Sequence, residues 1–258
     1  MIDLHSHTTR CHHAHGTMEQ FVQAAIAAGV TIYGFSDHAP MDFDARYRMG
    51  FDEMADYEAE VARLRGRYGD RIELLLGYEI DWIAGLVDER VLSRAVDYRI
   101  GSIHFLKEWG FDNPEFIGEY GQRDLGTVWR EYFEAIAQMA QSGLFDIVGH
   151  LDLIKVFGYF KDRGVDAAVM GALEAIRDSG MAIELNTAGW RKPVGECYPS
   201  AAILKAAYDL GIAITFGSDA HDVCHVGQGL PQAYALARSV GYRHAAIFRG
   251  RQRELIKI

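Results

Sequence analysis

An α/β fold, a parallel sheet rolled into a barrel, is what this sequence predicts, on three observations. Short apolar runs alternate with longer amphipathic stretches, the grammar of repeated βαβ units. A glycine repeatedly falls between the end of a helical stretch and the next apolar run, where a left-handed helix cap belongs. Nearly every apolar run is followed by a histidine, aspartate or glutamate, as expected where strand ends gather on one face of a barrel.

Taken in order, strands are expected near residues 2–5, 31–36, 72–78, 98–103, 146–149, 182–185 and 213–217, with a further candidate near 245–248. That many alternating elements in one domain favour a closed barrel. The first helix opens on Thr17 with Gln20 three positions on, the spacing of a capping box. Trp129, Phe133, Ile136, Ala137 and Ala140 recur on one helical face, as do Val169, Leu173 and Ile176 behind Asp166 as N-cap. Residues 52–68, rich in Glu, Asp and Arg, read as the solvated face of a helix. Ala28-Gly29-Val30, Ser142-Gly143-Leu144, Gly180 and Gly211 supply the caps that precede strands. Three long loops, 39–51, 105–124 and 186–199, follow strand ends, where such a barrel keeps its substrate contacts.

The 258 residues fit one large domain spanning 1–258, and 49% hydrophobic residues support a sizeable core. No apolar run approaches the roughly 18–20 residues of a membrane span. Met1 is followed so closely by Asp3, Leu4 and His5 that no cleaved leader is expected. Cys11, Cys197 and Cys224 are odd in number and show no C-x-x-C spacing, so reduced thiols and a cytoplasmic location are expected. A formal net charge of −10 argues against nucleic acid as the main partner. A small phosphorylated substrate remains compatible, because bound divalent cations would dominate the local field.

Nine candidate metal ligands fall at or near the expected strand ends: His5, His7, His13, His38, Glu79, His104, His150, Asp219 and His221. His5 and His7 in D-L-H-S-H share one face of an extended segment and can chelate one ion. Taken alone, an H-x-H is explained as well by surface histidines. Glu79 is the candidate bridge, since a carboxylate can span two ions and an imidazole cannot. Asp81, two residues on, reads as a partner of the ligands or a substrate contact. His104 and His150 each end an apolar run; a single such histidine is ordinarily a packing residue, but two in equivalent places favour ligation. Asp219 and His221 again share a face, and His38 adds an imidazole at the same rim. In Cys11-His12-His13-Ala14-His15, three histidines compete for one or two places. His12, His15, His225 and His244 read as surface or outer residues. The set suffices for about three divalent ions at roughly three to four protein ligands each.

The motifs D-L-H-S-H-T at 3–8, H-A at 13–14, S-D-H-A-P at 36–40, G-Y-E-I-D at 77–81, G-S-I-H-F at 101–105, V-G-H-L-D at 148–152 and G-S-D-A-H at 217–221 resemble those of the polymerase-and-histidinol-phosphatase (PHP) superfamily. Within it the chain looks most like the histidinol-phosphate phosphatases, on W-G-F-D-N-P at 109–114, D-L-I-K-V-F-G at 152–158 and E-L-N-T-A-G-W-R-K-P at 184–193. The resemblance implies a distorted (β/α)7 TIM-like barrel with its metal site at the C-terminal ends of the strands. It also implies three divalent ions, zinc, iron or manganese. His5, His7, Glu79 and Asp219 would hold the first; Glu79, His104 and His150 the second; His13, His38 and His221 the third. The resemblance is what selects His13 from its cluster.

The implied reaction is hydrolysis of L-histidinol phosphate to histidinol and phosphate, a step of histidine biosynthesis. A water bridging two ions has its pKa lowered to about 7 and supplies hydroxide at neutral pH. Asp219, Glu79 and Arg191 are the expected catalytic residues. Arg191 is the candidate phosphate clamp, because its planar fork binds two oxygens at once; Lys192 and Lys155 are lesser candidates. Trp109 and the loop to Tyr120 are expected to shape the pocket, with Glu119 or Asp81 facing a positive amino group. The leaving group could take its proton from a metal-bound water or from Asp219. Rival readings are another small phosphorylated substrate, an amidohydrolase, a TatD-like nuclease, or a non-catalytic metal module. Glu79 in place of a carbamylatable lysine and the acidic charge weigh against the amidohydrolase and the nuclease respectively. The sequence does not specify an oligomeric state.

Overall fold

A computed structural model describes residues 1–160 and 163–258 of the chain. Its strands are β1 (Ile2–Asp3), β2 (Ile32–Phe35), β3 (Glu73–Asp81), β4 (Tyr98–Ser102), β5 (Phe105–Leu106), β6 (Trp109–Gly110), β7 (Ile147–Val148), β8 (Ala182–Asn186), β9 (Ile214–Gly217), β10 (His244–Arg249) and β11 (Gln252–Lys257). Seven of them form one parallel sheet in the order β1-β2-β3-β4-β7-β8-β9. Its two edges meet: Leu4 N donates to Phe216 O at 2.8 Å and Asp219 N to His5 O at 2.8 Å. The expected seven-stranded TIM-like barrel is the fold.

The helices α1 (Met18–Ala27), α2 (Met54–Tyr68), α3 (Glu89–Leu92), α4 (Leu125–Gln141), α5 (Ala167–Ser179), α6 (Ala201–Asp209) and α7 (Leu230–Val240) join the strands. The Thr17–Gln20 capping box opens α1, with Thr17 N donating to Gln20 Oε1 at 2.8 Å and Gln20 N to Thr17 Oγ1 at 3.2 Å. Asp166 caps α5 through the amides of Ala168 and Val169. Gly180 ends it at φ 75°, and the same left-handed conformation recurs at Gly29, Gly143 and Gly211. The polar stretch 52–68 is the outer face of α2, whose Met54, Tyr57, Val61, Leu64 and Tyr68 are buried at helical spacing.

Two expectations need correction. The third strand runs on to Asp81, so Glu79 and Asp81 lie within β3 rather than beyond its end. Continuous parallel pairing explains the extra length, since Glu79 pairs with Ile100 and Asp81 with Ser102 of β4. The candidate eighth strand near 245–248 is β10, which turns back on β11 as an antiparallel hairpin and is not part of the barrel sheet.

Inside the barrel, Tyr98 reaches across to donate its hydroxyl to Leu4 O at 2.7 Å. Gly34 and Gly77 make that reach possible, because a Cβ on either would collide with the Tyr98 ring or hydroxyl. The three long loops carry short 3-10 turns at Ala45–Tyr47, Pro114–Gln122 and Thr187–Arg191 and surround one mouth of the barrel. Among the described residues, no helix is long and apolar enough to cross a membrane.

Candidate metal centre

Two backbone registers bring the ligand candidates together. A parallel bridge between Ser6 and Ala220 sets the H-S-H segment beside D-A-H, and another between His38 and Glu79 sets the second strand end beside the third. His5, His7, Glu79 and His150 are buried; His13, His38, His104, Asp219 and His221 are partly exposed at the rim. All but His5 and His7 line a cavity of about 640 Å³. His5 and His7 lie fully buried against Glu79 and Asp219.

Glu79 sits at the middle of the cluster. Its Oε2 is 3.3 Å from His5 Nε2, 3.5 Å from His7 Nε2 and 3.1 Å from His38 Nδ1. Its Oε1 is 2.9 Å from His150 Nε2 and 3.6 Å from His104 Nε2, and accepts from Ser102 Oγ at 2.6 Å. Each oxygen therefore faces its own group of imidazoles. Asp219 Oδ1 stands 3.1 Å from His7 Nε2 and 3.4 Å from His221 Nδ1. The His13 and His221 ring centroids are 4.6 Å apart, and those of His13 and His38 are 5.4 Å apart. Of the crowded histidines, His12 and His15 are exposed and only His13 turns inward, its Nδ1 2.7 Å from Cys11 O.

These residues fit divalent ions. His5 Nε2 and His7 Nε2 are buried without a hydrogen-bond partner, the mark of a donor atom waiting for something other than protein. Three sets, His5–His7–Asp219, His38–Glu79–His104 and His7–His38–His221, each place their ligand atoms within 4.8 Å of one another. Two non-glycine residues in the cluster, His150 at φ 21° and Asp219 at φ 51°, hold left-handed backbone, a strain that concentrates at functional sites.

Outer carboxylates fix the rings. Glu184 Oε1 lies 2.8 Å from His5 Nδ1, and its Oε2 accepts from His150 N at 3.0 Å and from Asn186 Nδ2 at 3.2 Å. Asp37 faces His7 Nδ1 at 3.4 Å, and Asp81 contacts His104 Nδ1. Sequence reasoning missed Glu184, Asp37 and Arg48. The signal for Glu184 was Gly217: a Cβ there would collide with Glu184 Oε1, so the glycine of G-S-D-A-H makes room for it.

The charges reinforce one another. Burial alone would raise Glu79 and Asp219, but the surrounding imidazoles outweigh it and hold both carboxylates well below their usual range. Burial alone would lower His7 and His104, yet carboxylates raise them to about 9 and about 10 respectively. His38 and His221 are pushed well below the ordinary histidine value by burial.

The substrate candidates separate. Arg191 and Lys192 line the cavity. Arg191 Nη2 donates to Ser218 O at 2.7 Å and Asp219 O at 3.2 Å, while its buried Nη1 has no partner. Asp81 is paired with His104 and with Arg48, whose Nη1 is 2.7 Å away, so it ties a candidate ligand to the 39–51 loop. Lys155 lies outside the cavity wall, buried 2.9 Å from both Asp152 and Glu196; these two carboxylates leave it no charge to offer a phosphate. Trp109 is a core residue, packed on Tyr120 at 4.7 Å with Arg123 over its ring. Glu119 pairs with Arg123, away from the cavity wall. The wall near these two is built instead by Phe105, Asp112, Asn113, Glu115 and Phe116.

Comparison with known proteins gives the family. The PHP domain model matches residues 3–188. A probable histidinol-phosphatase of Deinococcus radiodurans is 43% identical over 248 residues, covering 94% of this chain and 95% of the relative. Histidinol-phosphatase of Bacillus subtilis is 29% identical, covering 87% of this chain and 95% of that protein. The solved structure of histidinol phosphate phosphatase from Lactococcus lactis, complexed with zinc, L-histidinol and phosphate, superposes with a TM-score of 0.83 at 23% identity, over 98% of each chain. The chain belongs to the PHP domain family and, within it, to the group that contains the histidinol-phosphatases.

Proposed function

We propose that this chain is a metal-dependent phosphomonoesterase that hydrolyses L-histidinol phosphate to histidinol and phosphate. The observation that carries the reading is Glu79, a carboxylate with separate groups of imidazoles on its two oxygens at the floor of an open cavity. The relationship to histidinol-phosphatases over nearly the whole chain supports the substrate.

His5, His7, Glu79 and Asp219 would hold one ion, Glu79, His104 and His150 a second, and His13, His38 and His221 a third. Mixed nitrogen and oxygen donors suit zinc, iron or manganese. When bound, such ions acidify a water and neutralise the oxygens of a phosphate ester. Glu184, Asp37 and Asp81 hold the Nδ1 edges of His5, His7 and His104, which turns each Nε2 inward. Arg191 is anchored by its Nη2 and presents Nη1 to a phosphoryl oxygen. Lys192 adds charge at the mouth. Asp219, held ionised by His5 and His7, acts as an anion in this scheme and not as the acid for the leaving alkoxide. The core cluster runs from Ile2 to Phe248, which supports a single domain over 1–258. A biosynthetic role places the protein in the cytoplasm, with no nucleic-acid or membrane partner.

The test is phosphate release from L-histidinol phosphate beside a panel of sugar phosphates and nucleotides, with bound metal assayed. A kcat/KM for L-histidinol phosphate well above every other ester supports the reading. Slow, indiscriminate release would reject the substrate and keep the phosphatase.

A further inference from the structure

The cavity wall carries five carboxylates, Asp44, Glu79, Asp112, Glu115 and Asp219. Four are committed. Glu79 and Asp219 face imidazoles, Asp44 pairs with Arg48 at 3.2 Å, and Glu115 pairs with Arg46 at 3.7 Å. Asp112 alone has neither an ion pair nor a side-chain hydrogen bond with any described residue.

Its backbone, in contrast, is held on both sides. Phe111 N donates to His104 O at 3.2 Å, Tyr120 Oη donates to Phe111 O at 3.1 Å, and Asn113 N donates to Gly110 O at 3.2 Å. Asn113 then caps the turn that begins at Pro114, its side chain accepting from Glu115 N at 2.9 Å. Phe111 is fully buried. A carboxylate fixed at the backbone and free at the side chain, in a cavity, is built to meet a cation that arrives with the ligand.

Charge around the rim is divided. Arg191 and Lys192 follow β8, while Asp112 follows β4 and the β5–β6 ribbon; only β7 separates β4 from β8. The two signs of charge thus line the same cavity from loops that follow strands two places apart in the sheet.

We propose that Asp112 is the ammonium subsite of this enzyme, selecting phosphate esters of amino alcohols over phosphate esters that carry no ammonium. The inference rests on the phosphatase reading above and deepens it. It replaces Glu119 and Asp81, which arginines already neutralise, as the residue that faces the amino group.

The experiment compares kcat/KM for L-histidinol phosphate with that for 3-(imidazol-4-yl)propyl phosphate, which lacks only the ammonium, using metal-loaded wild type, Asp112→Asn and Asp112→Glu. Wild type should prefer the amino ester. Asp112→Asn should cut that preference by roughly 30-fold or more, the scale for losing one partner of a desolvated charge pair, at unchanged metal content. Asp112→Glu, which keeps the charge, should retain part of the preference. An unchanged ratio in Asp112→Asn, or equal loss on both esters, would overturn the inference. Wild type that hydrolyses both esters alike has no ammonium subsite, which overturns the inference while the phosphatase stands. Wild type inactive on both overturns the two together.

Discussion

His150 Nε2 lies 2.9 Å from Glu79 Oε1, while the other oxygen of Glu79 lies 3.3 Å from His5 Nε2. One carboxylate thus joins the fifth strand end around the barrel to the first. Glu79→Gln keeps the shape and removes the charge that both groups of imidazoles share. Bound metal should fall by at least one ion per chain and phosphatase activity by roughly 10²–10³-fold, the scale of losing a central electrostatic group. Elemental analysis alongside kinetics checks it; full metal content in the variant would refute the bridging role.

Glu184 touches no candidate substrate position, yet it holds the His5 ring, the His150 amide and Asn186. Glu184→Gln is expected to weaken metal binding by about 10–100-fold, as for other residues that orient ligands. Competition with a chelator measures this, and an unchanged affinity would show that the His5 ring needs no such hold.

Arg191→Ala should raise KM by roughly 30-fold or more with normal metal content. Arg191→Lys should rescue little, because a lysine cannot grip the Ser218 and Asp219 carbonyls and a phosphate oxygen at once. Unchanged KM in both variants would remove Arg191 from the site.

Lys155→Met separates a structural lysine from a phosphate clamp. It leaves Asp152 buried and uncompensated, so unfolding free energy should drop by about 3–5 kcal/mol. Denaturant titration reads that loss, and KM in the surviving folded protein should stay near wild type. A large KM increase without loss of stability would restore Lys155 to substrate binding.

Metal loading should release protons. His7 and His104 are raised to about 9 and about 10 in the metal-free protein, so at pH 7 both carry a proton that ligation must displace. Affinity should therefore climb with pH from 7 and level off once pH passes those values. In the metal-free protein the same raised values favour folding below about pH 6.5, the unfolded histidine value, and that contribution fades as pH rises through 9 to 10. Zinc titration in weak buffer with a pH indicator gives the proton count; a count of zero at pH 7 would contradict the charge state.

Much of the candidate site could be read from the chain because the candidate ligands sit at fixed offsets from strand ends. His5 with His7, and Asp219 with His221, share a face by the period of an extended strand, whatever the fold around them. The caps at Thr17, Asp166 and Gly180 were equally readable, since each satisfies hydrogen bonds within a few residues of itself. Lys155 and Trp109 were harder to read for the opposite reason: their partners Glu196 and Tyr120 are distant along the chain, and an ion pair or a buried ring looks like a free functional group in a sequence. Glu119 differs, since Arg123 stands four positions on, a spacing that the sequence itself shows.

The sequence by itself determined the alternation of strands and helices, the barrel class and which side chains have the chemistry to bind metal, because these follow from local periodicity and residue type. Tertiary structure decided the rest. Barrel closure set Glu184 behind His5, the continuation of β3 turned Glu79 into the meeting point of two imidazole groups, and the pairing of the other cavity carboxylates left Asp112 uncommitted among the described residues. Those outcomes depend on which strands lie side by side, and no short-range pattern in the chain encodes the distance between residues that far apart.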